Sequence, residues 1–224
     1  MKLRKRILAL SFLLFISLFA SASSVFTDVV SSPKWEIRAV WLTTFSGLDW
    51  PKTKATDDWS RERQKKELIR MLDGLQEANI NTVIFQARTR GLTAYRSQYE
   101  AYDNVWTGTE GRSPGYDPLE FAVEECHTRG MECHAWVVCV CPAKGFRDPN
   151  SPSTAGYIAS ICEEITRNYD VYGISLDYIR YRDGKPLGVS KWQACENITK
   201  IVRAIHSRVK SIKPWVKLSC SPIG

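Results

Sequence analysis

The sequence predicts an α/β fold, an incomplete (β/α)8 TIM barrel in which about five strand–helix units are present. Three observations favour it: β-like and helical segments alternate strictly, unusual polar and aromatic residues follow the strands, and no glycine-rich phosphate loop follows the first strand. Alternation alone would also fit a doubly wound sheet, but functional groups after successive strands are typical of the barrel. A full barrel takes about 250 residues. The chain has 224, and its fifth predicted strand is the last.

The N-terminal 22 residues are predicted to be a secretory signal peptide. A basic start precedes an apolar run over Ile7–Ala20, and Ala20-Ser21-Ala22 has the small-residue pattern of a cleavage site. The run is short for a membrane span of about 20 residues. No Cys lies near the cleavage site, so a lipid anchor is not indicated. We therefore expect a secreted or periplasmic protein with no membrane attachment after cleavage. A Ser-rich linker over residues 23–34 would follow, with the barrel portion over 35–224.

Composition and charge argue against a nucleic-acid partner. The net charge of +7 falls to +3 once the four basic residues of the leader are removed, and the remaining basic residues form no dense stripe. A charged fraction of 25% and a hydrophobic fraction of 44% are typical of a globular protein. The eight Trp residues suit stacking on sugar rings, although a core would use them as well.

The individual elements follow from periodicity and end signals. The spacing of Leu68, Met71, Leu72 and Leu75 predicts the first helix, and Asp117 followed by Pro118 predicts the start of the second. The predicted strands are Glu36–Thr44, Ile80–Ala87, Met131–Cys141, Asp170–Asp177 and Val216–Cys220. The predicted helices are Ser60–Asn79, Asp117–Gly130, Ser151–Tyr169 and Ser190–Ile212.

The cysteine and histidine residues predict neither a metal site nor a cofactor. The seven Cys include no C-x-x-C pair, and the three His are isolated from one another and from Cys at ligand spacing. Cys133, Cys139 and Cys141 share one parity in a strand-like run. We therefore expect them to be small buried hydrophobic residues.

The strongest candidate for chemistry is the stretch Gly173–Tyr181. A buried apolar strand ends there in Asp177, followed closely by Tyr178 and Arg180. A carboxylate at a barrel mouth can act as nucleophile, as acid or base, or as oxocarbenium stabiliser in glycoside cleavage. The alternative is an Asp that caps the turn after its strand.

Two Trp residues and one Arg near the first two strands are candidate substrate-binding residues. Trp41 could form the floor of a sugar site or belong to the core, whereas Trp50 lies on the first loop, where we expect it to be exposed. Arg88 is expected on the same strand face as Gln86, pointing into the barrel mouth. The alternative for Arg88 is a salt bridge to Asp177 or another strand-end acid.

Two residues of the third strand complete the candidate set. His134 and Trp136 share one face of that strand. With no acid adjacent in the sequence to orient it, His134 is interpreted as an inward hydrogen-bonding residue rather than a proton shuttle.

Several motifs together resemble the glycosyl hydrolase-like 10 family, and the chain is similar to its Bacteroidetes branch. They are Arg38–Thr44, Leu48–Pro51, Asn81–Arg88, Gly115–Leu119, His134–Trp136, Gly173–Tyr181 and Val216–Gly224. The resemblance implies a TIM barrel and a bacterial secreted or cell-envelope glycosidase acting on polysaccharide, with peptidoglycan-derived glycan strands as one substrate. It also implies that Asp177 is the family's strand-four carboxylate and Arg88 its strand-two arginine.

The sequence departs from the family at two positions near the site. Tyr178 stands where the family often has a second Asp, and Val137–Pro142 replaces a run of the Asn-Pro-Tyr-Arg type.

The leading hypothesis is a glycoside hydrolase with Asp177 as one catalytic carboxylate and Asp49 as a weak candidate for the second. The alternatives are a carbohydrate-binding protein without turnover and an inactive truncated barrel. The predicted substrate-binding residues are Trp41, Trp50, Arg88, His134, Trp136, Tyr178 and Arg180.

Overall fold

In a computed structural model of the chain, residues 36–140, 147–181 and 188–221 are described. The predicted signal peptide, the linker over 23–34 and Cys141 lie outside these ranges. The strands are β1 (Ala39–Leu42), β2 (Thr82–Arg88), β3 (Leu92–Thr93), β4 (Ala101–Tyr102), β5 (Glu132–Val138), β6 (Gly173–Asp177) and β7 (Lys217–Ser221). The α-helices are α1 (Asp58–Glu77), α2 (Pro118–Thr128), α3 (Pro152–Asn168) and α4 (Lys191–Ile212).

The five main strands form a parallel sheet in the order β1–β2–β5–β6–β7. Strands β3 and β4 are short additions at the end of β2, with β3 antiparallel to it. Main strands that follow one another along the chain are neighbours in the sheet, so the strand order does not reverse as it does in a doubly wound sheet. This winding confirms the predicted fold, a (β/α)8 barrel represented by its first five strands.

Local end signals determine where the helices begin. At the start of α1, the Asp57 side chain accepts from Ser60 N at 2.7 Å, and the Ser60 hydroxyl accepts from Asp57 N at 3.0 Å. At the start of α2, the Asp117 carboxylate accepts from the amides of Leu119 and Glu120, both at 3.1 Å. The predicted helix starts are confirmed to within about two residues.

The hydrophobic core lies between the sheet and the helices. Phe85, Ala135, Ile174 and Leu176 point from the strands into this layer and are fully buried. Facing them are helix residues including Leu68, Leu72, Leu119, Ile158, Ile165, Ile201 and Ile205. Apolar residues repeat every 3.6 residues in the helices and every two residues in the strands, and both sets are buried in this layer. The local patterns and the tertiary packing therefore agree.

The cysteine prediction is confirmed where the structure describes it. Cys133 and Cys139 are fully buried in the core layer, as is Cys162 of α3. Every cysteine in the described ranges is a free thiol. Burial raises the pKa of the Cys139 thiol to about 12, so this residue packs as a small hydrophobe.

The opposite face of the sheet corresponds to the barrel interior. The parallel register aligns Trp41 with Ile84, Ile84 with His134, and His134 with Gly173 in one layer. The next layer towards the carboxyl ends pairs Gln86 with Trp136 and Trp136 with Ser175, and Asp177 lies one layer beyond. This face therefore presents polar and aromatic side chains at the carboxyl end of the sheet.

Two further properties of the described residues bear on partners. None of their helices combines the length and the apolarity that crossing a membrane requires. Within the same ranges, no group of His, Cys, Asp and Glu side chains is arranged to hold a metal ion.

Candidate active site

A cleft of about 210 Å³ opens at the carboxyl ends of β2, β5 and β6. In a parallel barrel, this is the end of the sheet at which active sites lie. The described residues that line it are Thr43, Phe45, Gln86, Thr89, Arg90, Trp136, Val138, Asp177 and Tyr178.

Asp177 ends β6 with a half-buried carboxylate whose two oxygens both accept hydrogen bonds. The indole Nε1 of Trp136 donates to Oδ2 at 3.0 Å, and the backbone amide of Tyr178 donates to Oδ1 at 2.7 Å. The main chain is fixed as well, because the Cys139 amide donates to the Asp177 carbonyl at 2.8 Å. The carboxylate therefore faces the cleft in a defined orientation.

Tyr178 forms part of the cleft wall next to Asp177. Its φ of 50° lies in the left-handed region, which is uncommon for a residue with a side chain. Its ring is partly exposed, and the guanidinium carbon of Arg180 lies 4.3 Å from the ring centroid. Arg180 thus supports Tyr178 through a cation–π contact. A strained residue directly after a strand-end carboxylate is typical of a functional site.

Trp41 and Trp136 form a continuous aromatic surface on the barrel-interior face. Their ring centroids are 4.8 Å apart with planes at 89°, an edge-to-face contact. Trp41 is 43% exposed and Trp136 is half-buried. The structure therefore brings these two predicted residues together beside Asp177.

Gln86 lines the cleft and also binds the loop after β1, a contact that the sequence did not predict. Its Oε1 accepts from the Thr43 hydroxyl at 2.7 Å and from the amides of Thr44 and Phe45, each at 2.9 Å. It thereby fixes the loop after β1 against the end of β2. A polar residue at an inward position near a strand end was the available signal.

The opposite wall of the cleft consists of Phe45 and Arg90. The guanidinium carbon of Arg90 lies 4.0 Å from the Phe45 ring centroid. Phe45 carried no signal in the sequence, since its place depends on the loop conformation that Gln86 stabilises.

The prediction that Arg88 shares a face with Gln86 is wrong. The pairing of β2 with β5 slips between them, so that Gln86 pairs with Trp136 and Arg88 with the very next residue, Val137. Such a β-bulge turns Arg88 to the helix side of the sheet, where its side chain is 1% exposed.

In that position Arg88 forms a buried ion pair with Glu100. Nε and Nη2 donate to the two carboxylate oxygens at 2.7 and 2.6 Å, and Nη1 donates to the carbonyl of Val138. Burial alone would lower the pKa of Arg88, but the hydrogen bond and charge of Glu100 outweigh burial and raise it. Tyr157 donates to Glu100 at 2.8 Å. Arg88 thus holds the ends of β2 and β5 together behind the cleft.

The expectation that Trp50 is exposed is also wrong. Trp50 is fully buried, and its Nε1 donates to the Gln64 carbonyl at 2.8 Å. Its ring packs against Trp106 and Phe85, with centroids 5.0 and 5.9 Å away. The loop after β1 folds back over the helix layer, so this Trp belongs to the core.

His134 lies on the interior face, one layer below Trp136, and is not among the described residues that line the cleft. Its Nε2 lies 2.9 Å from Oε2 of Glu132, so the expectation that no acid orients it is wrong. Lys217 also donates to both oxygens of Glu132 at 2.7 Å. Burial works to raise the pKa of Glu132, but Lys217 and His134 bring it below its ordinary value.

Asp49 has a local structural contact. Its Oδ2 accepts from the Thr43 amide at 2.8 Å, which closes the loop after β1. Within the described part of the chain, Asp177 is the one carboxylate that lines the cleft.

Comparison with known proteins identifies the family. The family model for glycosyl hydrolase-like 10 matches residues 36–147. The chain belongs to this family. It is 28% identical over 234 residues to glycosyl hydrolase YngK of Bacillus subtilis, and 29% identical over 243 residues to glycosyl hydrolase DigH of Escherichia coli K12. Each alignment covers 84% of this chain, and respectively 45% and 55% of the relative, so the chain spans about half their length.

A solved structure supports the fold of this glycosyl hydrolase-like 10 chain. Alpha-L-fucosidase isoenzyme 2 from Paenibacillus thiaminolyticus superposes with a TM-score of 0.54 at 16% sequence identity. The match covers 84% of this chain and 32% of the fucosidase chain. At this identity the likeness supports the barrel fold alone.

Proposed function

We propose that this chain forms the portion of a glycoside hydrolase that carries one catalytic carboxylate, Asp177. The observation that carries the proposal is the position of Asp177: it ends a barrel strand at the cleft, and N–H donors hold both of its oxygens. Membership of the glycosyl hydrolase-like 10 family supports the reaction class.

The hydrogen bonds of Asp177 favour one of the two roles that a catalytic carboxylate can have. Because both oxygens accept from N–H groups, Asp177 is arranged as an acceptor and not as a proton donor. It would attack the anomeric carbon or stabilise the positive charge that develops there. The general acid would then be a second carboxylate of this chain, one that is not among the described residues lining the cleft.

The aromatic surface supports a sugar substrate. Trp41 and Trp136 extend from Asp177 along the barrel interior, and Tyr178 adds a partly exposed ring at the cleft wall. Aromatic faces of this kind pack against the C–H faces of sugar rings. We propose a polysaccharide substrate, with peptidoglycan-derived glycan strands as the first to test, and a secreted or periplasmic location.

A reducing-end assay tests this function. The purified full chain would be incubated with peptide-free peptidoglycan strands, chitin, cellulose and a plant-wall polysaccharide. New reducing ends from at least one glycan are expected, and they should be lost in Asp177→Asn. No new ends from any glycan would contradict hydrolysis by this chain.

One observation favours a second candidate, a carbohydrate-binding protein without turnover. The described cleft lining holds one carboxylate, whereas most glycosidases use two. Calorimetric binding of a glycan without new reducing ends would support this alternative.

A further inference from the structure

Gln86 combines near-complete burial with an unused polar group. It is 4% exposed and lines the cleft beside Trp136 and Asp177. Its Oε1 is identified as the oxygen because two backbone amides, those of Thr44 and Phe45, donate to it at 2.9 Å. The other polar atom of the side chain, Nε2, is therefore the group turned away from the loop.

Nε2 has no hydrogen-bond partner within the described residues. In the same residues, the fully buried side-chain polar atoms without a partner are Tyr95 Oη, His127 Nε2 and Arg147 Nε. Gln86 Nε2 is not one of them, so it is not fully enclosed. Nε2 therefore reaches the open space of the cleft. Three donors hold the oxygen of this side-chain amide. Nε2 therefore cannot rotate away from the cleft unless those hydrogen bonds break.

We propose that Gln86 is a substrate-binding residue whose Nε2 donates a hydrogen bond to an acceptor oxygen of the sugar bound at Asp177. This inference rests on the proposed function and names a residue that positions the sugar. Because the Oε1 contacts pre-orient the amide, binding requires little further ordering of this side chain. A ligand that lacks an acceptor at this point would leave a mostly buried N–H group unpaired, which disfavours it.

The substitution Gln86→Glu separates the two functions of the side chain. The carboxylate oxygen that replaces Oε1 still accepts from Thr44 and Phe45, so the loop contact is kept. The second oxygen replaces the donor with an acceptor.

The test measures glycan binding by calorimetry in an Asp177→Asn background, which prevents turnover. The probes are chitotetraose, cellotetraose and peptide-free peptidoglycan strands. At pH 7, adding Gln86→Glu should weaken binding about tenfold, the loss expected for one hydrogen bond.

Gln76→Glu in the same background is the matched control. It makes the same amide-to-carboxylate change at an exposed position of α1 that does not line the cleft. Its dissociation constant should stay within about twofold of the background. Thermal unfolding of each variant shows that it is folded.

Each outcome decides the matter. Equal binding with and without Gln86→Glu would overturn the role of Gln86, as would an equal loss in the Gln76→Glu control. If neither the Asp177→Asn protein nor the wild type binds any probe, the proposed function fails and the role of Gln86 fails with it.

Discussion

The indole nitrogen of Trp136 lies 3.0 Å from Oδ2 of Asp177 and donates a hydrogen bond to it. The two residues come from adjacent parallel strands, and the pairing of Val138 with Asp177 places Trp136 one layer below the carboxylate on the same face. Trp136 is itself packed edge-on against Trp41. The direction of the carboxylate is therefore fixed by the sheet and not by a loop alone, which suits a group that must hold one geometry during catalysis.

Trp136→Phe keeps the aromatic packing and removes the donor to Asp177. Hydrogen bonds to charged groups contribute roughly 1.5–3 kcal/mol, so kcat should fall at least about tenfold. KM should change less than about threefold if the bond orients the carboxylate and does not bind substrate. Trp41→Phe, which keeps the edge contact and removes no donor to Asp177, is the control for steady-state assays. Equal losses in both variants would argue against an orienting hydrogen bond.

The buried pair of Arg88 and Glu100 predicts a large effect on stability. Their side chains are 1% and 5% exposed, so Glu100→Gln leaves a buried cation without its counter-charge. The free energy of unfolding should fall by about 3–5 kcal/mol, measured by urea denaturation. The Arg88→Met/Glu100→Leu double variant should lose less than the sum of the single variants. Glu124→Gln, at an exposed position of α2, should change stability by no more than about 0.5 kcal/mol.

The contacts of Glu132 predict a dependence of stability on pH. Burial works to raise its pKa in the folded protein, but the hydrogen bonds and charges of Lys217 and His134 bring that pKa below its ordinary value. A lowered folded-state pKa gives stabilisation that is present above the unfolded value, about 4.3, and is lost as the pH falls through the folded value. Lys217→Met should therefore be less stable than wild type at pH 7, with the difference closing in acid. A difference that stays constant from pH 7 to pH 3 would contradict this account; Lys200→Met, exposed on α4, is the control.

Position 173 must be glycine because the His134 side chain lies directly over it. A Cβ at this position would lie 2.8 Å from Cε1 of His134 and closer still to Nδ1. Gly173→Ala should therefore lower the free energy of unfolding by about 1–3 kcal/mol. Gly156→Ala is the matched substitution, because that Cβ, near the start of α3, meets nothing within 4 Å. It should be stabilising by about 0.5–1 kcal/mol, so a loss of stability in both variants would contradict the explanation.

The sequence was sufficient for the order and type of the main elements. Apolar periodicity and helix-start residues such as Asp117 act locally, and the structure follows them closely. The consecutive strand order was also predictable, because polar and aromatic residues after successive strands favour a barrel over a doubly wound sheet. Asp177 and Trp136 could be placed near each other because strand ends meet at one edge of a parallel sheet.

The predictions for Arg88 and Trp50 are wrong because both positions depend on structure that the local sequence pattern does not contain. A one-residue bulge in β2 reverses the face of Arg88, and two-residue periodicity contains no signal for it. The burial of Trp50 depends on Trp106, which is distant in the sequence. The place of Gln86 was visible as an inward polar residue, but its role required the loop contacts of Thr44 and Phe45. Non-local structure thus determines the positions and roles of these residues, which the local sequence pattern does not predict.

Turnover by the Asp177→Asn variant tests the central claim most directly. The matched control is Asp170→Asn, an exposed Asp whose Oδ1 lies 3.7 Å from Lys213 Nζ, before the amino end of β6. On a glycan from which the wild-type chain releases reducing ends, as proposed, Asp177→Asn should lower kcat by about a thousandfold or more. Thermal unfolding should be unchanged to within a few degrees, and Asp170→Asn should retain near wild-type kcat. Near-normal turnover by a folded Asp177→Asn protein would contradict the assignment of Asp177 as the catalytic carboxylate.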